Sequence, residues 1–210
     1  DSLVVGMMFG ELDTPLLVKV GISAVDMLGA QQNLEAEIPH WDFNKIKQSV
    51  QDAWETNLSK IQVYGRDENH KTIFYTALYH SLLNPNLYID VDGRYRGMDM
   101  QIHQDSTDNH YTIFSLWDTF RATHPLFTII EQEKTNEFVR TFLRQFRQGG
   151  KLPIWELAAN YTNCMIGYHA IPVIADAYVK GLKDYDVEEA MDAMINSANL
   201  ETEGLKYYKA

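Results

Sequence analysis

From Asp42 onwards, apolar residues recur at spacings of three and four in one segment after another, and this periodicity constrains the fold more than any other feature. Such spacing is typical of amphipathic helices. The clearest helical segments are 42–63, 70–83, 124–132, 136–148 and 187–199. Asp42 and Asp186 precede two of them as N-caps, and the Gly149–Gly150 pair suits the end of a third. Consecutive helices joined by short breaks predict either an α-bundle or an α/α toroid whose helix pairs ring a central cleft.

The remaining segments have a different pattern. Residues 2–9 and 16–25 are apolar and rich in β-branched residues, with Gly, Pro and Asp at the breaks, which predicts short strands. Residues 31–41 form a polar connector, and residues 91–108 form a long loop that is either functional or disordered. The period of apolar residues over 111–121 predicts a further helix.

Composition excludes several classes of protein. The formal charge is −11, from 29 acidic and 18 basic residues, and no cluster of Lys or Arg offers a surface for nucleic acid. No apolar run approaches the roughly 20 residues of a membrane span. Cys164 is the single cysteine, so an internal disulfide is excluded, and its apolar setting predicts a buried, unreactive thiol. The start of the chain lacks the basic and apolar regions of a signal peptide, which does not settle localisation.

The segment 152–181 carries the residues best suited to a binding cleft. It sets Trp155, Glu156 and Tyr161 among small and aliphatic residues. A carboxylate beside an aromatic ring suggests a sugar site. Glu156 follows Pro153 closely, so we expect it in a loop or a first helical turn. Apolar neighbours would raise the pKa of its carboxyl group and suit it to act as an acid near neutral pH; the alternative is a carboxylate that interacts with a helix dipole.

A second candidate site lies at residues 117–121, WDTFR. Asp118 and Arg121 are three residues apart, so on a helix they share one face and can form an ion pair. The flanking apolar residues favour a pair that is buried or lines a cleft. Together with Trp117 this pair suits sugar recognition, because an indole stacks on the sugar ring while charged groups bind its hydroxyls. The nearby sequence DVDG, residues 90–93, is closer to a turn than to a calcium loop.

Five separated blocks resemble glycoside hydrolase family 92, the calcium-dependent α-mannosidases of gut and soil bacteria. They are VKVGISAV with GAQQNLEAEIPHWDF, FYTALYHSLLNPNLY, DVDGRYRGMD, YTIFSLWDTFRATHPL, and LPIWELAANYTNCMIGYHA with IADAYVKG. The resemblance implies a mainly α chain that is part of an (α/α)6 toroid, preceded by a short β segment from the end of a β-sandwich domain. Residues 1–30 would be the last strands of the sandwich, 31–69 a linker with a long helix, and 70–210 the first part of the toroid.

The same resemblance implies a function. Family members are exo-acting, inverting α-mannosidases, so the expected activity is release of mannose from mannans or N-glycans, in the periplasm or outside the cell. An inverting enzyme uses one carboxylic acid to protonate the leaving oxygen and a carboxylate roughly 6.5–9.5 Å away to activate water. The resemblance implies that this chain is a fragment, that the general base follows Ala210, and that the full-length enzyme uses Ca²⁺, for which no ligand can be matched here.

Residue roles are carried over where the blocks match. Trp117, Asp118 and Arg121 match positions that line the mannose subsite, and Trp155 is predicted to bind substrate as well. One position departs from the pattern, because members carry Glu in an N-E-T triplet as the general acid and this chain has Tyr161 there. With a pKa of about 10, tyrosine is a poor proton donor near neutral pH.

Three explanations of this departure stay open. Glu156 supplies the proton, or the leaving group is one such as phosphate that needs little protonation, or this subgroup follows another motif. A different class of function is also open, namely a non-catalytic carbohydrate-binding or scaffold homologue. On either reading the isolated fragment is expected to be inactive, because part of a toroid cannot place both carboxyl groups.

Overall fold

A computed structural model describes residues 5–200, which form eight helices and seven short strands. The helices are α1 Met27–Glu37, α2 Phe43–Leu58, α3 Glu68–Ser81, α4 Leu116–Thr119, α5 Thr123–Ile130, α6 Gln132–Gly149, α7 Ala170–Val179 and α8 Val187–Asn199. The strands are β1 Asn86–Leu87, β2 Arg94–Arg96, β3 Ile102–Gln104, β4 Tyr111–Thr112, β5 Phe114–Ser115, β6 Trp155–Leu157 and β7 Asn160–Tyr161. The described chain is mainly α, which confirms the coarser prediction. None of its helices combines the length and the apolar character needed to cross a membrane.

Several helix boundaries follow capping residues that are visible in the sequence. The Asp42 carboxylate accepts a hydrogen bond from the Lys45 amide at 3.0 Å where α2 begins. Asp186 accepts one from the Glu189 amide at 2.9 Å where α8 begins. After α6, Gly150 takes the left-handed conformation, with φ of 75°, that glycine adopts without steric cost. These three predicted boundaries are confirmed.

The strands predicted near the N-terminus are wrong over the described residues. Residues 5–26 contain no strand, and α1 occupies most of the predicted polar connector. Residues 2–4 of the first predicted strand lie outside the described residues. An apolar alternation forms a strand only where another strand pairs with its backbone. No part of residues 5–200 pairs with this segment, and Val18, Val20 and Ile22 are 73%, 74% and 80% exposed.

The helix predicted over 111–121 is also wrong, because only Leu116–Thr119 is helical and β4 and β5 precede it. Between these strands Ile113 has a φ of 68°, which a β-branched residue adopts only where its surroundings impose it. Its amide donates to the buried carboxylate of Glu156 at 3.2 Å. A contact distant in sequence therefore overrides the local period.

The strands form three small antiparallel sheets, in the orders β1–β4, β2–β3 and β5–β6–β7. The β2–β3 hairpin lies within the segment 91–108, which was predicted as a loop. Before this hairpin the Gly93 amide donates to the carbonyl oxygen of Asp90 at 2.8 Å, and Gly93 has a φ of 83°. The predicted turn at DVDG is thus confirmed.

The apolar core lies among α5, α6, α7 and α8. Helix α6 contributes Phe138, Val139, Phe142 and Leu143, all buried. Phe114 of β5 packs edge-on against Phe142, with ring centroids 4.8 Å apart. Because β5 is the first strand of the three-stranded sheet, this contact fixes that sheet on the core. The assignment of residues 1–30, 31–69 and 70–210 to a sandwich, a linker and a toroid stays a prediction.

Helix α1 docks on the rest of the chain where Gly29 faces Asp90. The Asp90 carboxylate is buried and accepts hydrogen bonds from Ser23 Oγ at 2.6 Å and Asn33 Nδ2 at 2.8 Å. A Cβ at position 29 would lie 2.2 Å from Asp90 Oδ2, so Asp90 would have to leave these partners. We expect Gly29→Ala to lower the free energy of unfolding, measured in urea, by about 1–3 kcal/mol. Gly10→Ala is the control, since nothing lies within 4 Å of its added Cβ, and equal losses would contradict the prediction.

Candidate active site

The β5–β6–β7 sheet brings the two candidate segments of the sequence together. Phe114 is paired with Glu156 and Ser115 with Trp155, while Glu156 is also paired with Tyr161. The strand that leads into Trp117 and Asp118 therefore lies beside the strand that carries Trp155 and Glu156. The sequence did not predict this pairing, because it placed 111–121 on a helix.

Glu156 of β6 is fully enclosed, with 1% of its surface exposed. Its Oε1 accepts hydrogen bonds from Thr112 Oγ1 at 2.9 Å and the Ala159 amide at 2.8 Å, and its Oε2 accepts one from the Ile113 amide at 3.2 Å. Burial raises the pKa of its carboxyl group to about 7, and these donors offset only part of that effect. The predicted direction of the pKa shift is thus found, although Glu156 lies in a strand and not in a loop or helix start.

The partners of Glu156 were not apparent from the sequence. Thr112 Oγ1 donates to Glu156 and also accepts a hydrogen bond from the Ala158 amide at 2.6 Å. Ala158 and Ala159 form the turn between β6 and β7, with φ values of 49° and 62°. Two-residue hairpin turns with positive φ usually contain Asn or Gly, so an Ala-Ala pair carries no turn signal that sequence reasoning can use.

Tyr161, at the position of the family's acid, lies on β7. Its hydroxyl is within hydrogen-bonding distance of two main-chain carbonyl oxygens, 3.3 Å from that of Lys151 and 3.4 Å from that of Leu152. The ammonium group of Lys151 lies 4.0 Å from the centre of the phenol ring. These contacts direct the phenol toward the segment that follows α6. Its catalytic role stays a prediction.

Trp117, Asp118 and Arg121 lie at the surface around α4, and the predicted ion pair between the last two is wrong. In the described residues Asp118 accepts a hydrogen bond from Ser115 Oγ, and the two side chains form no salt bridge. The Arg121 guanidinium instead stacks on aromatic rings, 5.1 Å from the centre of Trp117 and 4.9 Å from that of Phe120. Because α4 has only four residues and follows a strand, it does not supply the extended helix face on which the pairing was based.

Trp155 and Glu156 face opposite sides of the sheet, because successive side chains of a strand alternate. Trp155 is half-buried, on the side of its partner Ser115, and Ser115 in turn holds Asp118. Trp155, Ser115 and Asp118 thus share one side of the sheet, and the Glu156 carboxylate lies on the other. The structure groups Trp155 with the segment 115–121, while Glu156 is grouped with Thr112 and the β6–β7 turn.

Two further sequence predictions concern the thiol of Cys164 and a calcium site. Cys164 is exposed and its sulfur lies 3.2 Å from Thr162 Oγ1, so the prediction of a buried thiol is wrong. Within residues 5–200 no group of three or more His, Cys, Asp or Glu side chains is arranged to hold a metal ion. The Ca²⁺ dependence that the family resemblance implies stays a prediction.

A family model decides the classification. The model described as the glycosyl hydrolase family 92 catalytic domain matches residues 29–210. The chain belongs to glycosyl hydrolase family 92. This confirms the family that the five sequence blocks indicated, and with it the class of glycoside hydrolases.

Solved members of family 92 share the fold. A family GH92 α-mannosidase of Bacteroides thetaiotaomicron, also solved in complex with mannoimidazole, is 38% identical with a TM-score of 0.84, over 89% of this chain and 25% of that one. A GH92 inverting mannosidase of the same organism is 28% identical with a TM-score of 0.79, over 89% and 26%. An Arthroderma benhamiae protein described as a secreted glycosidase is 26% identical over 193 residues, 90% of this chain and 21% of its own length. The chain thus spans about a quarter or less of these relatives.

Family 92 membership sets the context for the predicted site residues without assigning their roles. The roles that stay predictions are those of Trp117, Asp118, Arg121, Trp155, Glu156 and Tyr161. In the sheet, Trp155 is paired with Ser115, the residue that leads into α4. The side chain of Glu156 lies on the opposite face of the sheet.

Proposed function

We propose that this chain is part of an exo-acting, inverting α-mannosidase that releases mannose from mannans or N-glycans in the periplasm or outside the cell. The observation that carries the proposal is the 38% identity, over 89% of the chain, to an α-mannosidase that was also solved with mannoimidazole. The likeness to a mannosidase described as inverting supports the stereochemistry. The likeness to a protein described as a secreted glycosidase supports the location.

In this proposal the groups around α4 bind the sugar. Trp117 is 39% exposed and offers an indole face to the apolar side of a mannose ring. Asp118 is held by Ser115, which leaves acceptor capacity on its carboxylate for a sugar hydroxyl. Arg121, stacked on Trp117 and Phe120, can donate to a second hydroxyl from a fixed position. Trp155 lies on the same side of the sheet as this group.

Inverting hydrolysis needs a general base as well as these sugar contacts. The family resemblance assigns that base to residues after Ala210, so we propose that catalysis belongs to the longer polypeptide. It also underlies our proposal that the longer enzyme depends on Ca²⁺. What residues 5–200 supply, in this proposal, is orientation of the mannose ring, which can contribute several orders of magnitude to the rate.

The test is hydrolysis of an α-mannobioside by the full-length enzyme that carries this chain. We expect mannose to be released, the release to stop when a chelator removes calcium, and activity to return when calcium is added. Asp118→Asn should lower kcat/KM by about 10- to 100-fold, because a hydrogen bond to a charged group contributes about 1.5–3 kcal/mol. Asp176→Asn is the control, since that carboxylate of α7 pairs at 2.6 Å with Lys180, the residue that follows the helix.

Two results would contradict this proposal. Activity that is unaffected by a chelator would contradict the proposed dependence on Ca²⁺. Equal losses in the two variants would remove Asp118 from the sugar site, because the Asp176 carboxylate is already paired with Lys180, which directly follows its helix.

Tyr161 favours a second candidate, a mannosyl-phosphodiester hydrolase. A phosphate leaving group departs with little protonation, whereas a sugar alkoxide needs a strong proton donor. The phenol at the position of the acid is directed at main-chain carbonyl oxygens, which suits a reaction without an acid. A kcat/KM at least about 100-fold higher for a mannosyl phosphodiester than for a mannobioside would establish this candidate. Mannose binding without hydrolysis of either substrate would favour the non-catalytic alternative.

A further inference from the structure

The carboxylate of Glu156 joins two segments that are distant in sequence. One segment is Thr112–Ile113, which provides a hydroxyl and an amide, and the other is the Ala158–Ala159 turn, whose second amide also donates to the carboxylate. The first amide of that turn donates to the Thr112 hydroxyl at 2.6 Å. Both carboxylate oxygens therefore accept hydrogen bonds from these two segments, and the Gln145 side chain of α6 also lowers the pKa of the carboxyl group.

Both segments have a backbone that L-residues avoid. Ile113, Ala158 and Ala159 have φ values of 68°, 49° and 62°, in the left-handed region where a Cβ crowds the following carbonyl. Such residues persist only where their surroundings fix them. In each segment the amide of a left-handed residue donates a hydrogen bond to Glu156. These hydrogen bonds to the carboxylate therefore stabilise the left-handed backbone.

These segments flank the candidate sugar-binding residues on both sides. Ile113 joins β4 to β5, and β5 runs directly into α4 with Trp117 and Asp118. The Ala158–Ala159 turn follows β6, which carries Trp155. A change in the backbone at Ile113 therefore alters the direction of β5, which leads to Trp117 and Asp118. A change in the turn alters the direction of β6, which carries Trp155.

The same geometry encloses the Glu156 carboxylate within the protein. A general acid must come within hydrogen-bonding distance of the leaving oxygen, directly or through one water. Glu156 is 1% exposed, and strand alternation sets its side chain on the face opposite to Trp155, which is also the face of its partner Tyr161. Both of its oxygens accept hydrogen bonds from Thr112 or from main-chain amides, so a leaving oxygen could reach this carboxyl group only if one of these contacts opened.

We infer that Glu156 is a positioning residue, which holds the left-handed segments around Ile113 and Ala158–Ala159 and through them orients Trp117, Asp118 and Trp155. It does not protonate the leaving oxygen. This inference rests on the proposed function for its kinetic consequence, whereas its structural consequence can be measured without any substrate.

Glu156→Gln in the full-length enzyme separates the two roles. An amide keeps one acceptor oxygen and presents a donor to the other amide, so one segment loses its partner. We expect kcat/KM to fall about 100-fold, by equal factors on an α-mannobioside and on an activated aryl mannoside, with an unchanged shape of the pH profile. A general acid would instead give a selective loss on the mannobioside and loss of the basic limb of the pH profile, and that result would overturn the inference.

A rescue variant tests the mechanism of positioning. Asn-Gly adopts a two-residue turn with positive φ without external support. Adding Ala158→Asn and Ala159→Gly to Glu156→Gln should therefore recover about tenfold of the lost kcat/KM. The control is Glu131→Gln, which alters a different buried carboxylate, paired with Lys60 and Lys134. Rescue is not expected from a turn substitution if Glu156 donates the proton, so failure of rescue would also overturn the inference.

Hydrogen exchange provides the measurement that does not depend on activity. Glu156→Gln should accelerate exchange of the amides in 113–118 and 158–161 by at least about tenfold, while Glu131→Gln should leave them unchanged. If the wild-type enzyme cleaves no mannoside but these amides respond, the proposed function fails and the positioning role stands. If the amides do not respond, the positioning role fails whatever the activity.

Discussion

Arg144→Met should lower the free energy of unfolding by about 3–5 kcal/mol, as expected when one partner of a buried charge network is removed. The Arg144 side chain is 9% exposed and lies on the face of α6 that meets the segment 105–110. Its guanidinium donates to Asp108 Oδ2 at 2.8 Å, Asp105 Oδ2 at 3.1 Å and His110 Nδ1 at 3.3 Å. It also donates to the carbonyl oxygen of Asn109.

The loss arises mainly from the groups left behind. Burial alone would raise the pKa of Asp108, but hydrogen bonds from Arg140 and Arg144 bring it below its ordinary value. Without Arg144, Asp108 keeps only Arg140, and the Asn109 carbonyl and His110 lose their donor. Methionine preserves the apolar stem, so the measured loss reflects the missing charge and hydrogen bonds.

Arg147→Met is the matched control for urea unfolding. Arg147 lies on the same helix, forms an ion pair with Glu189 and is 55% exposed. Exposed ion pairs contribute little, so we expect a loss of under about 1 kcal/mol. Equal losses in the two variants would contradict the claim that burial of the Arg144 network determines its effect.

The helices that the sequence predicts well are those whose ends are set by nearby residues. Asp42 and Asp186 cap amides three residues away, and Gly150 ends α6 through its own conformation. The buried face of α6 is likewise set by its own period. Such features need no knowledge of the rest of the fold, and therefore they are visible in the sequence.

The segment 111–121 shows why other parts could not be predicted. Its apolar period resembles that of a helix, but Phe114 and Ser115 pair with Glu156 and Trp155 of β6. The hydrogen bond between Ile113 and Glu156 then fixes a left-handed backbone that interrupts the period. Long-range pairing of this kind leaves no local trace in the sequence.

 Glu156 lies 42 residues after Phe114, and Trp155 lies 40 residues after Ser115. Both separations are far longer than the three- and four-residue spacing on which a helix prediction rests.

The candidate site was predictable in its residues more than in its geometry. The segment 152–181 and the WDTFR motif drew attention to Trp155, Glu156 and Trp117, and the sheet brings their strands together. The Asp118–Arg121 pair was wrong because it assumed a continuous helix. The grouping of Glu156 with Thr112 and the Ala158–Ala159 turn could not be predicted, since it depends on three left-handed residues that carry no turn signal.

His124 should make the stability of the protein fall as the pH is lowered from 6.5 toward 4. Its side chain is 3% exposed and lies among phenylalanines, with ring centroids 6.0 Å from Phe127 and from Phe138 and 6.4 Å from Phe142. Within residues 5–200 its Nδ1 has no hydrogen-bond partner. Burial lowers the pKa of its imidazole to about 4.

The sign follows from the protons bound in each state. Below pH 6.5 the unfolded chain protonates this histidine while the folded chain keeps it neutral, so stability is present above 6.5 and is lost as the pH falls toward the folded pKa. The full loss is about 3 kcal/mol, since each unit of pKa shift corresponds to about 1.4 kcal/mol. His110, whose pKa burial lowers to about 3, adds a loss of the same sign, whereas the raised pKa of Glu156 acts in the opposite direction.

A difference between two titrations isolates the contribution of His124. His124→Leu keeps a similar volume and removes the titrating group. Between pH 6.5 and pH 4 the free energy of unfolding should fall in both proteins, and the fall in the variant should be smaller than that in the wild type by about 3 kcal/mol. His70→Asn is the control, because that side chain is 82% exposed on α3 and its ring is hydrated in both states. Parallel wild-type and His124→Leu curves would show that the buried imidazole accepts its proton in the folded protein, and would exclude the neutral core histidine on which the prediction depends.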